Sequence, residues 1–294
     1  MSTQGPQNPV EVSVVVPVYN SERFIGKCVA SLLSSNYNPS SFEIICVDNG
    51  SSDGSLRILR SFEPRIRVLV EPKRGPAAAR NAGLREARGE FVAFTDSDCI
   101  VDPGWLAAMV RALRQGTVDA VGGRILARPE AGVIDRFGEL VHDHQKAIEV
   151  FQPPYIISMN LAMGRDLLLS LGGFDERWLR IEDVDLSYRL LAAEKRLGYC
   201  NEAAIYHHNR DKLWTLAREG YLHGYFAAAF RKAYAGFVQS YRETHPAPSE
   251  VPTSSAPEPG LGVGPVQRYL LWRVFHSAKR VGALVGRWSP PVLG

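Results

Sequence analysis

The chain has 294 residues, 45% of them hydrophobic and 22% charged, which places it among globular proteins with a substantial core and excludes a disordered chain. A formal net charge of +3 is too small to argue for a nucleic-acid partner. Four widely separated cysteines, Cys28, Cys46, Cys99 and Cys200, show no zinc-like spacing, so reduced thiols and a cytoplasmic location are expected.

The first residues carry no basic segment followed by an apolar stretch, so no signal peptide is expected. No run approaches the roughly 18 consecutive apolar residues of a membrane span. Residues 1–10 read as a disordered N-terminus. The β-branched run Val12–Val18 predicts a strand, and residues 21–35 put Phe24, Ile25, Cys28, Val29, Leu32 and Leu33 on one helical face. A second strand is expected over Phe42–Val47, a helix over about 53–62 with Asp53 capping it, and a third strand over Ile66–Val70. Gly75-Pro76 opens a helix to about Arg88, because proline suits the first helical turn. The strand Phe91–Thr95 ends in Asp96-Ser97-Asp98, and Trp105, Leu106, Met109, Val110 and Leu113 mark the next helix. Such βα repeats predict an α/β fold, Rossmann-like, with a mainly parallel sheet flanked by helices.

The second half is less periodic. Residues 129–155 read as a loop or helical excursion, with His142 and His144 assigned to the surface or to an acceptor loop. Beyond them come an acidic helix start at Glu182 and a strand near Gly198–Ile205. Residues 211–244 form a helical extension, 245–265 a Pro-rich linker, and 266–294 a basic amphipathic tail. Beyond Glu258 there is no acid, while Arg268, Arg273, Lys279, Arg280 and Arg287 follow. That composition suits a helix lying on an anionic membrane surface.

Ligands of open α/β sheets sit outside the carboxyl ends of the strands, which gathers Tyr19, Asp48, Asp96 and Asp98 at one crevice. On an extended backbone, residues i and i+2 point the same way, so Asp96 and Asp98 are expected side by side. Two adjacent carboxylates call for a cation, and hard, partly open oxygen ligands suit Mg²⁺ or Mn²⁺ shared with phosphates.

Four stretches carry a resemblance: VSVVVPVYN at 12–20, FEIICVDNGSSDGS at 42–55, RGPAAARNAGLREARGEFVAFTDSD at 74–98 and GGFDERWLRIEDVDLSYRL at 172–190. In order and spacing they resemble a family 2 glycosyltransferase of the GT-A fold over about residues 11–210. The resemblance implies a nucleotide-sugar-binding half at 11–125 and an acceptor-binding, catalytic half at 126–210. It implies inverting transfer of a single sugar from a nucleotide diphosphate donor. The acceptor would be a glycan, a lipid-linked molecule or a small molecule.

By this resemblance Pro17, Tyr19 and Asn20 lie at the nucleotide, and Asp48 and Asn49 at the base. Asn49 replaces the family's commoner second aspartate there. Arg80 faces the nucleotide, where a guanidinium binds phosphate or orients Asp96. Asp98 is the direct metal ligand, Asp96 contacts ribose or supports the metal, and His207 reaches back to it. Asp183 resembles the general base, with Glu182 its rival, and Asp185–Arg189 is a structural i, i+4 pair. A nucleotidyltransferase would show a Gly-rich basic loop after the first strand, where this chain has PVYNSERF. A non-catalytic sugar-nucleotide-binding protein is the remaining alternative. A single-addition enzyme is favoured, since Gln267–Trp272 only superficially resembles the Gln-x-x-Arg-Trp motif of processive synthases. Peripheral contact with the inner face of the cell membrane is expected through the tail.

Overall fold

In the computed structural model, which describes residues 10–246 and 263–288, the valine-rich run forms β1 (Val12–Val18) at the middle of one face-to-face covered sheet. Val14 and Val16 face one apolar core and Val15 the other, and all three are fully buried. A strand covered on both faces needs apolar residues at every position, which is why the sequence is continuous rather than alternating.

The sheet has eight strands in the order β3-β2-β1-β4-β7-β6-β8-β5. Here β2 is Phe42–Asp48, β3 Arg67–Val70, β4 Phe91–Thr95 and β5 Cys99–Val101. The others are β6 Ala120–Ala127, β7 Asn160–Gly164 and β8 Leu197–His207. The first four pair in parallel, connected by α1 (Ile25–Leu33), α2 (Ser55–Arg60) and α3 (Pro76–Glu86). The remainder is mixed: β7 runs antiparallel to β4 and β6, β8 parallel to β6, and β5 antiparallel to β8. The parallel character read from the βα repeats therefore holds through β4, and the chain then folds back.

One core holds Ile25, Leu32, Trp105 and Met109, the last two from α4 (Trp105–Arg114). The opposite core holds Leu84, Phe94, Phe174 and Leu186, the last from α8 (Glu182–Ala192). The unpatterned stretch after β6 is helical, with α5 (Val133–Val141) and α6 (His144–Glu149), and α7 (Arg165–Ser170) follows β7. His144 corrects the surface expectation. It is 2% exposed, donating from Nδ1 to the Gly123 carbonyl (2.9 Å) and accepting the Ile157 N–H at Nε2 (2.8 Å). Burial lowers its pKa to about 3, so it is a neutral bracket between α6, β6 and the 156–158 segment.

The C-terminal part is α9 (Leu213–Ala233), α10 (Ala235–Thr244) and α11 (Pro265–Trp288). The expected linker and N-terminal arm lie almost wholly outside the described residues. No helix among the described residues is long and apolar enough to cross a membrane. Helix α11 lies parallel to α9 at very short range, through Gly220 and Gly224 on one side and Gly282 and Gly286 on the other. A Cβ on Gly224 would collide with the Lys279 carbonyl, and one on Gly282 with that of Tyr221. Small residues four apart let two helix backbones touch. Gly224→Ala should therefore destabilise the pair by about 1–3 kcal/mol through overpacking. Limited proteolysis should then cut within α11 at protease levels the parent resists; unchanged resistance would contradict the packing.

Candidate active site

The register of β1 on β2 sets Val18 beside Asp48, so both strands end at the same edge. Asp48 is 2% exposed; one carboxylate oxygen accepts the Ser51 N–H (3.2 Å), while Oδ1 is buried without a partner among the described residues. A buried, unpaired acceptor is costly unless a ligand donor fills it. Tyr19 is half exposed at the lip, with the Arg74 guanidinium 4.8 Å above its ring. Pro17 lies inside β1 opposite Val47.

The two asparagines hold loops. Asn20 adopts a left-handed backbone (φ 48°), donates its N–H to Ser51 Oγ (3.0 Å) and accepts the Ser52 N–H (2.8 Å). Asn49 donates to the carbonyls of Glu71 and Lys73 and accepts the Gly75 N–H (2.8 Å). These bonds explain why an amide can stand at position 49: a carboxylate could not donate to two carbonyls.

Arg80 sits in the first turns of α3, 3% exposed, and joins two distant acidic motifs. Its Nη1 donates to Glu182 Oε1 (2.6 Å) and its Nη2 to Asp96 Oδ1 (2.7 Å). The ring of Phe174 lies 5.5 Å from the guanidinium carbon. Burial alone would lower the pKa of Arg80, but the charges of Asp96, Glu182 and Asp183 hold it raised. Asp183 follows Glu182 in the first turn of α8, accepting the Ser158 and Val184 N–H groups. Burial, then the adjacent Glu182 charge, raises its pKa to about 7, with Arg80 opposing. Ile181, immediately before, has φ 72°, a strained conformation for a β-branched residue.

The pair Asp96 and Asp98 departs from expectation. The chain leaves β4 at Thr95 and turns, the Cys99 N–H donating to the Asp96 carbonyl (3.0 Å), so strand alternation does not apply. Asp96 leans on Arg80 and Asp98 on His207, whose Nε2 is 3.5 Å from Asp98 Oδ1. The β5–β8 register causes this by setting Cys99 opposite His207. Donor atoms of Asp98, Cys99 and His207 lie within 4.8 Å of one another, a spacing that would suit a cation. Burial raises the Cys99 thiol well above its ordinary pKa, leaving Asp98 and His207 as the donors suited to a hard ion.

Behind His207 stands a support that the sequence reading missed. Asn209 Oδ1 accepts from Nδ1 of His207 (2.8 Å) and from Nδ1 of His142 (3.1 Å). An amide oxygen only accepts, so each ring carries its proton on Nδ1, and Nε2 of His207 is turned toward Asp98. Asp135 accepts the Asn209 N–H (3.0 Å), and a Cβ on Gly138 would collide with the Asn209 side chain. Burial, then the neighbouring His207, lowers the pKa of His142 to about 3. Asn81 is a second unread residue, pairing with the Phe174 backbone and Glu176 (all 2.8 Å) to fix the turn before α8. Single asparagines carry no spacing signal, and only the long-range pairing exposes them. Asp53 accepts the Ser55 N–H (3.0 Å) but stands one residue before the N-cap of α2, which is Gly54, so it braces the turn rather than holding the capping position expected of it. Arg189 pairs with Asp185 (2.8 Å), as read from their spacing.

Comparison with known proteins fits this frame. The sequence model described as Glycosyl transferase family 2 matches residues 13–169. Glycosyltransferase AglE of Haloferax volcanii is 30% identical over 196 residues, 65% of this chain and 64% of that protein. The pre-mycofactocin glycosyltransferase of Mycobacterium tuberculosis is 33% identical over 236 residues, 75% of this chain and 47% of that protein. The chain thus spans less than two thirds of the length of these relatives. The structure of mannosyltransferase PcManGT from Pyrobaculum calidifontis, in complex with GDP-Man and Mn²⁺, is similar at a TM-score of 0.64 and 22% identity. That match covers 98% of this chain and 92% of PcManGT. S. aureus TarS 1–349 in complex with UDP-GlcNAc gives 0.55 at 19% identity, over 95% and 92% of the two chains. At such identities the likeness is one of fold. With the family match extending over more than half of the chain and its strands in the GT-A arrangement, the protein belongs to glycosyl transferase family 2.

Proposed function

We propose that this enzyme moves a single sugar from a nucleotide diphosphate donor to an acceptor hydroxyl with inversion, using Asp183 as the general base. The observation that carries the reading is the Arg80 clamp, which holds the Asp96 turn and the Glu182-Asp183 helix start in one crevice. Glu182 is committed to Arg80, whereas among the described residues the Asp183 carboxylate has only backbone N–H donors, so Asp183 is the freer proton acceptor. In the transfer, the acceptor oxygen forms a bond to the anomeric carbon and gives its proton to Asp183. The bond from that carbon to the diphosphate oxygen breaks, and its electron pair leaves with the diphosphate.

The open Asp48 oxygen supports recognition of a base N–H, and the half-exposed Tyr19 supports packing on base or ribose. Asp98 and His207 would hold a divalent Mg²⁺ or Mn²⁺, with Asp96 beside the ribose. When bound, such an ion stabilises the negative charge developing on the diphosphate. The solved complexes of PcManGT with GDP-Man and Mn²⁺, and of TarS with UDP-GlcNAc, support a nucleotide-sugar donor. A glycan, lipid-linked or small-molecule acceptor, and a cytoplasmic enzyme in peripheral contact with the membrane, belong to the same reading.

Asp183→Asn should lower turnover by about 10²–10⁴-fold while leaving donor affinity nearly intact. Near-normal turnover would remove Asp183 from the role. Calorimetry with UDP, GDP, dTDP and CDP, with and without Mn²⁺, should show one nucleotide binding in a metal-dependent way, and Asp98→Ala should abolish that dependence. Metal-independent binding would count against the Asp98–His207 site.

The pH dependence follows from the raised pKa of Asp183. A base must be ionised, so log kcat/KM should climb with pH and level off above about 7. Glu182→Gln removes a charge that raises this pKa, so the limb should move to lower pH. A limb that stayed in place would assign it to another group. Stability has the opposite sign: the folded protein holds this proton from about pH 4 to about 7 where the unfolded chain has lost it, so this carboxyl lowers stability progressively over that range.

A further inference from the structure

Helix α11 has two apolar sides, and among the described residues packing covers only one. Leu271, Phe275, Gly282 and Gly286, spaced by four and seven, are buried, with Gly282 and Gly286 against α9. On the opposite side Val266, Leu270, Val281, Leu284 and Trp288 recur at helical intervals and stand exposed among the described residues, Val266 at 70% and Trp288 at 88%. Arg273, Arg280 and Arg287, one every seven residues, run along the edge of this stripe and are all exposed. Side chains seven apart on a helix share a face, so apolar stripe and cationic rim form one continuous surface.

We propose that this outer face of α11 docks on an anionic lipid bilayer surface. Its charge has one sign: the helix carries Arg268, Arg273, Lys279, Arg280 and Arg287 and no acid. The one acid in the α9 sequence, Glu219, is paired with Arg180, Arg210 and His223. Anionic headgroups complement such a rim, and the acyl boundary takes up the leucines, valines and tryptophan. Arginines at every second turn keep the helix in the interface plane, in keeping with the lack of a spanning helix among the described residues. A second copy of the same face would bring arginine rim toward arginine rim, which disfavours self-association.

The placement also orients the enzyme. The buried side of α11 packs through Leu271 and Phe275 on Phe137 of α5 and Leu216 of α9. The next residue of α5, Gly138, lies against Asn209, the support of His207. A bilayer on the outer face of α11 is therefore separated from the crevice by α11 and α5, and a lipid-borne acceptor would reach the site by extending past this pair. That last step, the lipid-borne acceptor, rests on the transferase reading; the docking surface does not.

The test is co-sedimentation of the full chain with phosphatidylcholine vesicles and with vesicles also containing phosphatidylglycerol, without donor or acceptor. Binding should require the anionic lipid and weaken with salt. Each exposed arginine contributes about fivefold, so Arg273→Gln/Arg280→Gln/Arg287→Gln should lose about a hundredfold in affinity. Leu270→Ser/Leu284→Ser/Trp288→Ser should lose at least about tenfold, with the thermal midpoint of both variants unchanged because the residues are exposed. Failure of the parent to bind anionic vesicles, equal binding to neutral ones, or triple variants that bind as the parent does would overturn the proposal. So would a parent that sediments as a dimer and becomes monomeric only when the apolar stripe is removed, which would assign the face to a second copy. Because the assay holds neither donor nor acceptor, its outcome bears on the surface alone, while the Asp183→Asn and nucleotide-binding measurements bear on the transferase reading.

Discussion

The crevice depends on one buried cation. Arg80 has given up nearly all contact with water, and two carboxylates replace that hydration from motifs 86 residues apart in sequence, Asp96 and Glu182. Such a group is tolerable only while both acids stay in place, since a buried charge stripped of a partner costs about 3–5 kcal/mol. The clamp thus ties the end of β4 to the start of α8 with an energetic penalty for separation. Its charge balance also sets the chemistry beside it. Burial of Asp183, and then the adjacent Glu182 charge, outweigh the one guanidinium, so this carboxyl is harder to ionise and rises to about 7.

A second constraint places the other half of the site. The short strand β5 pairs antiparallel with the end of β8, and that register brings His207 to Asp98 across more than a hundred residues of chain. Asn209 then fixes which ring nitrogen faces inward, and the tight contact of Gly138 keeps α5 closed over it. Because α5 also packs on α11, the Asp98–His207 side of the crevice and the outer helix pair share one support.

The first four strands and their helices were legible in the sequence to within a few residues, because continuous apolar runs, Gly75-Pro76 and the Gly-Ser-Asp turn each act locally. The four motif stretches carried the family, and Asp185–Arg189 followed from helical spacing alone. What could not be read depends on distant partners. The antiparallel return through β6 and β7 has no local marker, and His144 looked like a surface residue because its backbone partners lie at Gly123 and Ile157. The assumed alternation of Asp96 and Asp98 failed because the strand ends one residue before them. The tail was legible as basic and amphipathic, but its glycine-lined docking on α9 was not, since each helix supplies half of that contact.

A double-mutant cycle on the clamp bears most directly on whether Arg80 couples the two halves of the crevice. Urea unfolding would be followed for Arg80→Met, Glu182→Met and the double variant. A coupled clamp predicts that Arg80→Met costs about 3–5 kcal/mol and that the double variant recovers at least about 1.5 kcal/mol of the summed single losses. Strictly additive losses would mean that Arg80 and Glu182 are stabilised independently, and that the crevice is held together by something other than this buried pair.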